Sequence, residues 1–527
     1  MYALIDSNNF FVSCERLFRP DLTDKPVVVL SSNDGCVVSR SNEAKALGIK
    51  MGEPAFSLRH RFADVRVVPG AMQTRAQRGR PAKRAGGMRA GFERSNGSTQ
   101  RGVDPSSKNE YRQHQIVMFS ANFELYGDIS ERISSLLTSI TPHIENYSID
   151  EAFLDLDQLD ITDLTAWGRA VRVAILRGIG IPVSIGIAPT KTLCKLAAHW
   201  AKQHPETQGV FHLSAQTRKA QAQRGHERTA RAAGEQAAGV VRAGFERSDD
   251  ATRRRASPSS EKEKRKADQF SRVFQSTDIA DVWGVGRRLA PRLKAEGIFT
   301  ALDLAGMSPR RAQQVMGIHG RHMVYELGGT RCLPLQTQTK PQQVISRGRQ
   351  FGEDTSDVAT IEAAIVALAT RAAAELRREH QLAHSAAISL RTSRHKPGYS
   401  CGFARVRFAA PTADTGTICS QLMRALRQTF RTNLSYHKAE VSLYNLTLAA
   451  RVQTDVFGTV DAGKLDRETA RMQALDTINA KHGTGSLRLA AETLSDRWQP
   501  RRSMLSPRYT SEWSHIPEAS CRTPDQL

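Results

Sequence analysis

Acidic residues, paired cysteines and long apolar runs are what this chain has little of. Its 527 residues hold 53 Asp and Glu against 75 Lys and Arg, a formal charge of +22, so a polyanion is the favoured partner. Nucleic acid stands ahead of an acidic membrane, because no amphipathic anchor or lipidation signal is present. The seven cysteines (Cys14, Cys36, Cys194, Cys332, Cys401, Cys419 and Cys521) are scattered, odd in number and free of any CxxC pair. That argues against a disulfide framework or a zinc ribbon and for a reducing cytoplasm. No stretch reaches a membrane-spanning length and the N-terminus begins directly with a strand, so a soluble, intracellular protein with no membrane partner is expected. The length implies several domains with cores of their own.

Large apolar residues are almost missing from two segments, roughly Ala71 to His114 and Ala215 to Gln269. The string Arg89-Ala90-Gly91-Phe92-Glu93-Arg94-Ser95 in the first recurs as Arg242-Ala243-Gly244-Phe245-Glu246-Arg247-Ser248 in the second. Pro105-Ser106-Ser107 and Pro258-Ser259-Ser260 match at the same offset. A solenoid needs at least three copies with a buried apolar face, so the pair reads as disordered insertions. The first carries about ten bases against three acids and the second about fourteen against eight, so together they supply about +13 of the charge. Inert insertion into tolerant loops is the favoured reading; a pair of basic arms adding phosphate affinity is the alternative.

With the inserts set aside, residues 1–70 joined to 115–187 alternate strands and helices as an α/β body. Residues 188 to about 340 read as mostly helical. From 341 to about 450, helices such as Thr360 to His380 alternate with strands such as Ala386 to Leu390, Ala404 to Phe408 and Glu440 to Leu448. The rest is a polar tail with short apolar islands, read as partner-binding.

The most chemical stretch is Tyr147-Ser148-Ile149-Asp150-Glu151-Ala152-Phe153. Strands over Glu145 to Ile149 and Ala152 to Leu156 place two adjacent carboxylates at a hairpin, where both can face one centre. Asp6 closes a strand over Tyr2 to Ile5, and pairing of that strand beside the hairpin brings a third carboxylate to the same edge. Three clustered carboxylates repel unless cations join them, and hard oxygen ligands suit Mg²⁺. Two such ions would support in-line phosphoryl transfer. Lys191, at a strand-to-helix transition, is a candidate phosphate ligand. So are Arg40 and Lys45, which flank a helix start ending before Gly48. Trp283-Gly284-Val285-Gly286-Arg287-Arg288 resembles a helix-hairpin-helix whose glycine turn presents N–H groups to a DNA phosphate. His380 and His384 lack a third ligand and read as a solvated helix face.

Together these residues resemble the Y-family translesion DNA polymerases, specifically the bacterial UmuC-like group, the catalytic subunits of DNA polymerase V. The resemblance runs through Asp6-Ser7-Asn8-Asn9-Phe10-Phe11, Lys25 to Leu30, Asn33 to Val38, Glu43 to Gly48, Tyr147 to Phe153, Thr190 to Leu193, Asp281 to Arg288 and Met504 to Thr510. It covers nearly everything except the inserts and the last residues. It implies an α+β multidomain right hand. The palm is at 1–10 and 115–187, fingers at 11–70, a helical thumb at 188–214 and 270–340, a little finger at 341–450 and a tail at 451–527.

The resemblance further implies that Asp6, Asp150 and Glu151, with the Ser7 carbonyl, hold two Mg²⁺. Phe11 becomes the steric gate against a ribose 2′-OH, and Arg40, Lys45 and Lys191 contact the incoming dNTP. The commoner Tyr-x-x-Arg pair is here Asn42-Glu43-Ala44-Lys45, which departs from bidentate phosphate recognition. Gly284, Gly286, Arg287 and Arg288 contact the DNA backbone. The implied partners are primer-template DNA, a processed UmuD-like dimer, a RecA-like recombinase filament and the sliding clamp. Gln453 and Phe457 are anchors of a degenerate clamp-binding peptide. The implied setting is SOS mutagenesis in the bacterial cytoplasm, at the nucleoid. A DNA-binding scaffold disabled by its inserts and another two-metal nucleotidyl transferase are the competing classes.

Overall fold

The computed structural model describes residues 1–62, 65–67, 115–213, 269–337, 341–451 and 462–517. The repeated segments (71–114 and 215–268) and the Gln453 to Phe457 peptide lie outside the described residues. The chain divides into two compact units. One comprises Met1–Thr23, Phe123–Gln338 and Arg508–Leu527; the other comprises Asp24–Asn122 and Thr339–Pro507.

The first unit is built on a five-stranded sheet. Its order is Ile144–Asn146, Glu151–Asp155, Tyr2–Ser7, Val183–Ala188, Val210–His212. Tyr2–Ser7 is the central strand, antiparallel to both neighbours and buried along its whole length. Side chains alternate between the faces of a strand. On one face Gly186 meets the backbone of the Lys191–Gln203 helix, and a Cβ there would lie 2.2 Å from the Cys194 carbonyl oxygen. On the other face Ile185 and Ile187 approach Gly168 of the Leu164–Ile179 helix. Thr190 caps the Lys191–Gln203 helix by accepting from the Leu193 N–H, and Asp163 caps Leu164–Ile179 in the same way. A single apolar core joins Tyr2, Leu4 and Phe153 to the helical segments Leu289–Ala295, Ala301–Gly306 and Pro309–Leu327.

The second unit holds two four-stranded sheets. The smaller has the order Val37–Arg40, Val27–Leu30, Ile116–Ser120, Val65–Val67. Ile116–Ser120, expected in the palm, is thus a parallel partner of Val27–Leu30 and shares its core. The larger sheet, Val344–Thr355, Tyr436–Leu448, Gln381–Arg391, Cys401–Thr412, packs against the Val358–Arg378 and Thr415–Thr429 helices. His380 ends the first of these helices at φ 52 and His384 lies on a strand, so the two do not share a helix face.

The polar tail is more structured than its composition implied. Its helix Ala462–His482 is clipped to the larger sheet's helices by Arg377 to Asp476 and Arg471 to Asp414, both at 2.6 Å. Trp498 is buried in the larger core and Met504 in the smaller one. Ser120 N–H donates to the Met504 carbonyl at 2.8 Å, and Asn122 Nδ2 donates to Ser506 Oγ at 3.0 Å. The apolar islands are therefore packing anchors spaced along an otherwise polar strap. Farther on, in the first unit, the Tyr509 ring stacks on Phe18 with centroids 4.5 Å apart.

Candidate active site

Pairing of the central strand with Glu151–Asp155 sets Asp6 directly opposite Glu151. Asp6 lies one residue inside its strand, and Tyr147 to Asp150 form the turn that precedes Glu151. The Ser7 N–H donates to the Asp150 carbonyl at 2.9 Å, which brings the third acid to the same edge. Asp150 Oδ1 accepts from Ser148 Oγ at 2.5 Å. Burial pushes the Asp6 carboxyl up to about 6 against the pull of Lys202, and the Glu151 and Asp150 charges add to the rise.

Tyr2, Leu4 and Asp6 share the sheet face covered by the Lys191–Gln203 helix, and their register partners bring Phe153 and Glu151 to it. Lys202 Nζ lies 2.6 Å from Asp6 Oδ1 and Lys195 Nζ 2.5 Å from Glu151 Oε2. These two lysines were missed in the sequence, although their i, i+7 spacing puts them on one helix face. Lys191, one turn before Lys195 and with its Nζ 5.3 Å from the Phe153 ring centroid, lies farther from Asp6. The Val183–Ala188 strand runs antiparallel to the central strand and ends beside Tyr2, far from Asp6. The helix that follows returns toward Asp6, so Lys191 is about 16 Å behind Lys202 along its axis. Buried there, Lys191 donates to Glu145 and to the Pro334 carbonyl. There its ammonium group forms a buried ion pair and does not face the carboxylate edge.

Among the described residues, no three His, Cys, Asp or Glu side chains converge as a ready metal cage. Two of the three acids are instead turned to ammonium groups. The donor set still suits a hard divalent cation: carboxylates on paired strands at one edge, one of them buried where a cation would offset the cost of its charge.

Phe10 is buried, whereas the Phe11 ring is partly open and stacks on Tyr126 at 4.5 Å and 14°. Tyr126 Oη donates to the buried Glu15 at 2.6 Å, so the platform under Phe11 is itself fixed. Gly284 (φ 92) and Gly286 form an exposed turn ahead of the Leu289–Ala295 helix, with Arg287 and Arg288 exposed beside them. Arg40 and Lys45 lie in the second unit, where Arg40 donates to the Ile49 carbonyl and Lys45 to Asn42 Oδ1 at 3.2 Å.

Residues 5–199 match the impB/mucB/samB family model and residues 342–456 its C-terminal domain. The chain is 33% identical to protein UmuC of Salmonella typhimurium over 521 residues, covering 98% of this chain and 99% of that protein. The chain belongs to the impB/mucB/samB family. To protein SamB of Salmonella typhimurium, another relative, the chain is 31% identical, again over 98% of this chain and 99% of that one. Residues 470–519, which form most of the strap, match a domain of unknown function, DUF4113. The fold agrees. A solved chimeric Y-family DNA polymerase built from Dbh and Dpo4 aligns with 85% of this chain and 99% of its own at a TM-score of 0.52 and 17% identity. This impB/mucB/samB member is thus a UmuC-like, DNA-directed DNA polymerase of the Y family. Among its described residues, no helix is long and apolar enough to cross a membrane.

Proposed function

We propose that the chain extends a primer 3′ end across damaged template bases, at the edge formed by Asp6, Asp150 and Glu151, in the SOS response. The observation that carries this reading is the register pairing of Asp6 with Glu151, with Asp150 tied to the same edge through the Ser7 N–H. Asp6, Asp150, Glu151 and the Ser7 carbonyl would hold two Mg²⁺. Bound there, the ions would orient the attacking hydroxyl and neutralise the departing pyrophosphate.

The chain's own residues do the rest. Lys202 and Lys195 bring positive charge to the carboxylate edge, where Lys202 is placed to pass from Asp6 to a triphosphate oxygen. Phe11, held flat on Tyr126, presents a ring face to the sugar and leaves no room for a 2′-OH. The Gly284 to Arg288 turn offers N–H groups and two guanidinium groups to the DNA backbone without reading bases. The resemblance assigns Arg40 and Lys45 to the triphosphate as well, Lys45 as a point charge rather than a fork. The assembly proposed around this core is a processed UmuD-like dimer, a recombinase filament and the sliding clamp, the last through Gln453 and Phe457, at the bacterial nucleoid.

Primer extension opposite an abasic site, with accessory proteins supplied, tests the reading. Wild-type chain should extend, and Asp150→Asn should lose on the order of 10²-fold or more, as when a group that stabilises developing charge is removed. Failure of the folded wild type to extend under those conditions would favour the DNA-binding scaffold.

A further inference from the structure

Lys195 reaches Glu151 through a ring of aromatic groups that the reaction scheme above does not use. Its Nζ lies 4.6 Å from the Tyr147 ring centroid, 5.7 Å from that of Trp283 and 5.9 Å from that of Phe153. The three rings brace one another. Tyr147 meets Phe153 at 5.7 Å and 77°, and Trp283 at 5.8 Å and 82°; the Trp283 Nε1–H donates to Tyr147 Oη at 3.3 Å. Phe153 is fully buried and forms the floor, whereas Tyr147 is 44% exposed and forms the outer wall. Tyr147 and Ser148 both donate their N–H groups to the Glu151 main-chain carbonyl, so the backbone of the wall is tied to the residue whose carboxylate it flanks. Trp283 comes from elsewhere: it immediately precedes the Gly284 turn.

An ammonium within about 6 Å of several ring faces is held by their quadrupoles, most strongly where water is thinned out. Here the held ammonium donates to a carboxylate at the catalytic edge. We propose that Tyr147, Phe153 and Trp283 form a box that keeps Lys195 on Glu151, and that Trp283 is thereby a positioning residue setting the affinity of the edge for divalent cations. The proposal rests on reading Asp6, Asp150 and Glu151 as metal ligands. A lysine fixed on Glu151 opposes a cation; a lysine released to solvent opposes it less. The Trp283 ring adjoins the turn assigned to the DNA backbone, so movement of that turn is transmitted to the lysine.

Binding of Mn²⁺ to the full chain, without DNA or nucleotide, is read from the loss of the free-ion electron paramagnetic resonance signal. Lys195→Met should tighten binding roughly thirtyfold, the effect of one unit charge on a divalent ion about 4 Å away at the dielectric of water. Trp283→Leu and Tyr147→Leu should shift affinity in the same direction by less. Trp283→Phe, which keeps a ring face, should stay near wild type. Adding Trp283→Leu to Lys195→Met should change nothing further, since the ring acts only through the lysine.

An unchanged Mn²⁺ affinity in Trp283→Leu and Tyr147→Leu, or an additive double variant, overturns the box. Tyr147, exposed on one side, carries the test should Trp283→Leu fail to melt as a folded protein. Mn²⁺ binding in the wild type that Asp150→Asn does not weaken would instead remove the metal-site reading on which the box stands.

Discussion

Phe11 shows how a single side chain acquires a function from what lies beneath it. Its stacking partner Tyr126 is buried and anchored by Glu15, so the ring cannot swing away to admit a larger sugar. Phe11→Ala should therefore incorporate ribonucleotides at least about tenfold better relative to deoxynucleotides, since losing an excluding contact costs about 1.4 kcal/mol of discrimination or more. Primer extension with matched rNTP and dNTP reads this ratio, and an unchanged ratio would remove Phe11 from the gate. The acids of the edge were legible because two neighbouring carboxylates between apolar strands have few structural uses. Lys195 and Lys202 were not. Helical spacing groups them, but only the antiparallel course of Val183–Ala188 reveals which end of the helix returns to Asp6.

At the scale of elements, the Lys191–Gln203 helix is placed by a strand that offers it no side chain at Gly186, the point of closest approach. Gly186 lets the helix backbone come within reach of the sheet, and a methyl there would overlap the Cys194 carbonyl and the Ala198 N–H. Gly186→Ala should cost about 1–3 kcal/mol of stability by overpacking. It should lower activity further by shifting Lys195 and Lys202 off the carboxylates. Denaturant unfolding and kcat/KM measure the two effects, and normal values for both would mean the sheet yields instead of the helix.

Asp414 does the equivalent work in the second unit, capping Thr415–Thr429 through the Thr417 N–H at 2.7 Å while receiving Arg471. Burial works to raise its pKa, but the Arg471 and Thr417 hydrogen bonds outweigh it and hold the carboxyl below its ordinary value. A depressed folded-state pKa contributes stability that is present above the unfolded value, near 4, and lost as pH falls through the lower folded value. Asp414→Asn should cost about 1–2 kcal/mol at neutral pH. It should also flatten the loss of stability below about pH 4, which urea unfolding between pH 3 and 7 detects. Helical periodicity made Val358–Arg378 readable in advance, as Thr360 to His380, whereas Thr415–Thr429 and the tail helix were not read. The clip between them was not legible either, because Arg377 and Asp476, or Asp414 and Arg471, are remote in sequence and look like solvated surface charge until the fold brings them together.

Across the whole molecule, alternation of strands and helices was enough to read an α/β body and the family resemblance supplied the α+β multidomain chain, whereas the grouping of Ile116–Ser120 with Val27–Leu30 needed the pairing itself. The pairing also explains where the two repeated segments could enter the chain. One follows Val65–Val67 and the other follows Val210–His212, and each of these is the edge strand of its sheet. Chain added after an edge strand interrupts no ladder between inner strands, and closing a longer loop costs only about 0.6 kcal/mol per doubling of its length. Removing residues 71–114 and 215–268, each replaced by a short Gly/Ser bridge, should therefore leave the melting temperature within a few degrees, by roughly the same loop-closure arithmetic. Lesion bypass should persist. The variant loses about +13 of charge, so DNA affinity measured against salt separates the two readings. Inert segments leave the slope of log affinity on log salt unchanged, whereas basic arms that neutralise phosphates reduce it by about 0.7–0.9 for each contact removed. Complete loss of folding or of DNA-dependent synthesis on deletion would show that the segments are part of the working enzyme.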